Sequence, residues 1–221
     1  MTNYYQTIIN ELDDRINELT YEPSNSLISY ENAIILVLQK LEEIKKYIKK
    51  NGFKDDEAEI LFFKQLKPQL VSKLIYFNAI YKIETKRPRG GDKIIKKYLN
   101  VELSKIKRYF DANLEFYKYY RTNSTHLDYK FFLRGKHDIK LSLDTYYFEA
   151  DHNFATSHDY KVAKIIANDL IQVYLEDQLN NNNHRKLLEI PPLNWTGSKT
   201  SLIELIYSLH SQGSIDNGNT D

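Results

Sequence analysis

The residues best suited to chemistry lie near the C-terminus, where Ser198, Lys199 and Thr200 precede Leu202, Leu205, Ile206 and Leu209 at i, i+3, i+4 and i+7 spacing. A serine ahead of such a run reads as an N-cap, its hydroxyl accepting from one first-turn amide while the others face outward beside an ammonium and a second hydroxyl. Open amides at the positive end of a helix suit a phosphate or a base edge, so the chemistry implied is binding rather than bond-making. The apolar stripe predicts one face against a core, with Ser201, Glu204, Ser208 and Ser211 opposite and Gly213 ending the helix. The plainer alternative is a docked terminal helix with a solvated polar face, a feature every fold can carry. Trp195 reads as an anchor for the preceding loop or, alternatively, as a wedge on nucleic acid. Arg185 and Lys186 follow the run Asn180–Asn183 and are placed to hold backbone phosphate.

A second basic group, Arg87, Arg89, Lys93, Lys96 and Lys97, surrounds Gly90-Gly91 at a predicted helix start. It reads as a secondary patch for phosphate or as a solvated loop; it is no Walker loop, and Asp92 would compete for the helix amides. His152 and His158 stand beside Asp151 and Asp159, but without metal-ligand spacing, so no metal site is expected and Asp159 is assigned to its own helix start. Tyr98, Tyr109, Tyr117, Tyr119 and Tyr120 could stack bases among lysines, yet core packing with wet hydroxyls is the better reading. With no cysteine, thiolate chemistry, disulfides and cysteine-based metal sites are excluded. No nucleophile, base and oxyanion donor assemble, so no catalytic residue and no cofactor are expected.

The elements that must position these residues read as helices. Ile8, Ile9, Leu12, Ile16 and Leu19 predict a helix over 4–19, and Ala33, Ile34, Val37, Leu38, Leu41, Ile44 and Ile48 a second one capped by Ser29 and stopped by Asn51-Gly52. A third opens on Asp55, Asp56, Glu57 and Glu59 and runs to Ile83, with Pro68 forcing a kink or two abutting helices. A fourth is capped by Asp92 and reaches about Arg121. A shorter helical piece covers 127–133, a short strand or extended connection 140–148, and a helix capped by Thr156 or Ser157 closes at the asparagine run. This predicts a mainly α protein with an N-terminal helical bundle over 1–122 and a smaller second region over 123–221.

The 221 residues, 42% hydrophobic and 28% charged, are enough for a core of their own. Net charge is +1, unevenly spread: residues 82–140 hold 16 Lys/Arg against 7 Asp/Glu, and residues 151–221 hold 5 against 9. The basic middle hints at a polyanion, while the acidic C-terminal part favours a rival reading, a helical adaptor that binds protein. The start lacks the basic and apolar regions of a signal peptide and no membrane span is present, so a cytoplasmic location is expected.

Trp195-Thr196-Gly197-Ser198-Lys199 and Glu204-Leu205-Ile206-Tyr207-Ser208-Leu209-His210 resemble the signature of the RteC family. Phe62-Phe63-Lys64 with Lys67-Pro68, Lys86-Arg87-Pro88, and Phe154 to Lys164 are also similar to family sequences, so the resemblance spans nearly the whole chain. It implies a regulator encoded on a conjugative transposon of Bacteroides, activating excision genes in a tetracycline-induced cascade. It also implies that residues 123–221 form a small helix-turn-helix or winged-helix-like DNA-binding domain, with double-stranded DNA carrying an inverted repeat as partner. RNA polymerase is admitted as a further partner. A two-fold site implies a homodimer on DNA. Several relatives extend beyond the position of Asp221, which leaves open the helix that enters the major groove.

Overall fold

The computed structural model describes residues 2–20, 26–141, 143–187 and 196–212. The helices are α1 (Thr2–Thr20), α2 (Ser26–Asn51), α3 (Asp56–Leu61), α4 (Lys67–Thr85), α5 (Asp92–Ala112), α6 (Leu114–Arg121), the short α7 (Asp128–Phe131) and α8 (Tyr146–Glu149), the long α9 (Asp159–Leu187) and α10 (Lys199–Ser211). No strand occurs among the described residues, so the mainly α class holds. The chain divides into two compact units, Met1–Leu179 and Asn180–Asp221. The expected boundary between 122 and 123 falls inside the first unit.

The first unit has two cores that meet on α4. In one, Leu12 of α1 and Val37 and Ile44 of α2 pack with Phe62, Phe63 and Leu70, and with Phe116, Phe132 and Ile165 from later elements. In the other, Ile80 and Ile83 of α4 face Leu99 of α5 and Ala167, Ile171 and Leu175 of α9. The predicted stripes of α1 and α2 thus face this core, except for Leu38, which is 49% exposed. Gly52 ends α2 with φ +66°, its amide donating to Ile48 O at 2.8 Å; a glycine takes that left-handed conformation without a Cβ penalty. Ser29 lies within α2 rather than capping it.

The break at Pro68 takes a specific form. Between α3 and α4 the chain winds as a π-helix over Phe62–Leu66, in which the Lys67 amide donates to Phe62 O, five residues back. Proline lacks an amide and its ring presses on the carbonyl four residues earlier, so a wider turn just before it relieves the clash. One extra residue per turn re-aims the following side chains, and the whole run 62–68 except Gln65 is buried.

Further expectations need correction. Gly91, not Asp92, occupies the N-cap of α5, and the helix breaks at Asn113, whose amide side chain donates to Tyr109 O at 2.9 Å before α6 restarts. Thr156 and Ser157 are buried, and Ser157 Oγ donates to Lys130 O at 3.0 Å rather than capping α9. α9 continues through Asn180–Asn183 to Leu187, so that run neither closes the helix nor forms a linker; asparagine's intrinsic helix penalty is modest, at most about 0.7 kcal/mol per residue, and is overridden. Residues 139–141 and 146–149 are helical turns rather than a strand. Asp138 and Asp144 start them by accepting from the amides of Lys140 and Tyr146, at 3.0 and 3.1 Å, and this local capping outweighs the alternating pattern.

Candidate nucleic-acid interface

Ser198 is the N-cap of α10: its backbone is extended and its Oγ accepts from the Ser201 amide at 3.1 Å. The Leu202 amide donates to Ser198 O at 3.2 Å, and by helix geometry the amides of Lys199 and Thr200 have no acceptor within the helix. Ser198, Lys199 and Thr200 are all exposed. Toward the other end of the helix, Ser208 and Ser211 turn their hydroxyls back to the carbonyls of Glu204 and Ser208, at 2.9 and 3.0 Å. The polar end of α10 is therefore its first turn.

The stripe of α10 departs from expectation. No residue of the helix is buried: Leu205 is 43% exposed, Ile206 47% and Tyr207 71%. A 13-residue helix buries its stripe only against an opposing apolar element, and among the described residues of the second unit only the last turns of α9 accompany it. Arg185 and Lys186 fall in those turns, with side chains outside the described ones, and Trp195 lies outside the described residues.

The secondary patch is split. Arg87 pairs with Glu84 at 3.0 Å and donates to Gln178 Oε1 at 3.0 Å, while Tyr174 donates to Glu84 at 2.7 Å, so Arg87 ties α4 to α9. Arg89, Lys93 and Lys97 are exposed around the start of α5, and Lys96 is half-buried. This patch belongs to the first unit and Ser198–Thr200 to the second.

The motifs of the middle of the chain converge on buried polar groups. Lys64 donates to both carboxylate oxygens of Asp128, at 2.8 and 2.9 Å, and to Ser124 O at 2.8 Å. Tyr119 adds a 2.6 Å bond to the same carboxylate, and burial pushes its hydroxyl pKa up, helped by that carboxylate. Lys67 pairs with Asp159 and donates to Phe154 O, with its Nζ 4.6 Å from the Phe154 ring centre. Asp159 also accepts from the Tyr160 amide at 2.8 Å, as its assignment to its helix start implies. Lys64, Lys67 and Asp159 hold the fold together, and lysine's usual surface habit concealed this in the sequence. The available signal was Phe62-Phe63 and Leu66 around them, ahead of a proline.

His158 is 1% exposed, its ring 3.9 Å from that of Phe131, with Nδ1 2.9 Å from Ser157 Oγ and Nε2 3.1 Å from Leu141 O. Burial, with Lys161 nearby, pushes its pKa down to about 3, so it is a neutral core imidazole. His152 stacks on Tyr147 at 4.6 Å, and its Nε2 lies 2.8 Å from Tyr147 O. Among the described residues no three His, Cys, Asp or Glu gather as metal ligands, and no helix is long and apolar enough to cross a membrane. Tyr117 and Tyr119 are buried and Tyr98, Tyr109 and Tyr120 half-buried, as core packing requires.

No curated protein and no solved structure matches the chain. The sequence model of one family, described as RteC protein, matches residues 61–221, beginning at the π-helical motif and including α10. That stretch is well over half of the chain, and the protein belongs to the RteC family.

Proposed function

We propose that the protein is a DNA-binding transcriptional regulator acting in the cytoplasm, and that as a homodimer it binds an inverted repeat upstream of excision genes of a conjugative transposon and activates them. On this reading α10 belongs to a helix-turn-helix or winged-helix-like region, with Ser198, Lys199 and Thr200 contacting DNA and Arg185 and Lys186 holding backbone phosphate. Activation brings RNA polymerase in as a partner. The observation that carries the reading is the capped, exposed first turn of α10, where a lysine stands beside two amides lacking helical acceptors, in a stretch within the family match. A two-fold operator and a two-fold protein dimer match by symmetry.

The test is a gel shift with an inverted-repeat duplex from the region upstream of the excision genes against a scrambled duplex, over a salt series. The reading expects a sequence-dependent shift with two protomers per duplex. Weak binding indifferent to sequence would instead favour a helical adaptor that binds protein. The exposed Leu205, Ile206 and Tyr207 supply that second reading with an apolar docking face, and the acidic balance of residues 151–221 agrees with it.

A further inference from the structure

Between α4, α5 and α9 lies a cleft of about 250 Å³ into which four lysines converge: Lys82, Lys86, Lys105 and Lys164. Glu102 is the one carboxylate lining it, and it is paired with Lys105 at 2.5 Å. Lys82 and Lys86 are exposed at the end of α4, where cations complement the carbonyl end of a helix, so their presence alone has a simple explanation.

Lys164 has no such explanation. It rises from α9 beside Ile171 and Leu175, which are buried in the second core, and is itself half-buried. Among the described residues it makes no ion pair or hydrogen bond; its ammonium lies 5.8 Å from the Tyr109 ring centre. Burial together with the charge of Lys82 lowers its pKa, and Asp144 opposes this only in part. A desolvated ammonium beside a like charge destabilises the fold unless an anion joins it. Of the three buried lysines, Lys64, Lys67 and Lys161, the first two each pair with a carboxylate.

We propose that this cleft is an anion site for a phosphate group, with Lys164 as the recessed donor and Lys82 and Lys86 at its mouth. The volume admits a phosphate and little more than the group attached to it. The phosphate belongs either to a small phosphorylated ligand or to the backbone of bound DNA, and the site stands whether or not α10 reads sequence.

The test compares the full chain with Lys164→Met and Lys82→Gln in two measurements: thermal unfolding in inorganic phosphate against chloride at matched ionic strength, and binding of a fluorescent duplex over a salt series. Saturating phosphate raises the wild-type Tm by about 2–4 °C and both variants lose the rise. In chloride, Lys164→Met unfolds at or above the wild-type Tm, because the substitution removes an unpaired cation. A lost phosphate response with an unchanged salt slope assigns the site to a small ligand. A log–log slope reduced by about one per lysine, with or without a phosphate response, assigns it to DNA. No phosphate-dependent rise in the wild type together with unchanged slopes in both variants overturns the proposal. So does a Lys164→Met variant that loses several degrees in chloride yet keeps the phosphate response, since Lys164 would then serve packing alone.

Discussion

Lys64 Nζ donates to both carboxylate oxygens of Asp128, at 2.8 and 2.9 Å, across 64 residues of chain and with both residues buried. The pair fastens the π-helical turn before Pro68 to the segment that opens α7, and Tyr119 and Ser124 satisfy its remaining bonds. Removing one partner strands the other charge in the core. Lys64→Met or Asp128→Leu alone is expected to cost about 3–5 kcal/mol in urea unfolding, and the double variant much less than the sum of the two. A single substitution costing under about 1 kcal/mol would contradict the role given to this pair.

His158 makes stability depend on pH. Its folded pKa, near 3, lies below its ordinary value of 6.5, so the unfolded chain binds the proton more readily. The contribution is fully present above about pH 6.5 and is lost as pH falls toward 3, at about 1.4 kcal/mol per pH unit in between. His158→Gln carries no such proton. The difference in unfolding free energy between wild type and variant should therefore shrink from pH 7 to pH 4, and parallel curves would exclude His158 as the source.

Arg134 and Glu59 illustrate how geometry outranks the count of ion pairs. Burial alone would raise the Glu59 pKa, but the guanidinium bonds to both of its oxygens, each at 2.9 Å, and the Arg134 amide bond at 2.8 Å bring it below the ordinary value. Arg134→Lys loses the fork and should cost about 1–2 kcal/mol, whereas Lys107→Ala, which removes the exposed pair with Asp111, should cost less than about 0.5 kcal/mol. Chemical denaturation of the two variants side by side decides it; equal losses would mean that the Arg134 fork adds nothing.

The parts of the fold legible in the sequence are those set by local rules. The stripes of α1 and α2, the Gly52 stop and the Ser198 cap depend on spacing and on one side chain meeting a neighbouring amide. Pro68 announces a break but not its form, because the π turn is held by what Lys64 and Lys67 meet nearly a hundred residues on or less. Residues 140–148 alternate like a strand, and the local signal against one is the pair of aspartates, Asp138 and Asp144, that cap the two turns. At α10 the first turn is local and readable; whether its stripe is covered depends on elements elsewhere, which no periodicity encodes.

The Ser198 cap separates binding from folding at α10, which makes Lys199 the sharpest test of the proposed interface. Lys199 is exposed and forms no cap, so Lys199→Ala should leave helicity by circular dichroism unchanged, alanine being the better helix former. If Lys199 meets a phosphate, affinity for the inverted-repeat duplex falls and the log–log salt slope drops by about one. If it meets a base edge instead, discrimination between the cognate and scrambled duplexes narrows by about 1–3 kcal/mol. Ser198→Ala behaves differently: it removes the cap, at about 1 kcal/mol of helix stability, so its binding loss should accompany a loss of helicity. Identical affinity and salt slope for Lys199→Ala and wild type would remove the first turn of α10 from the interface.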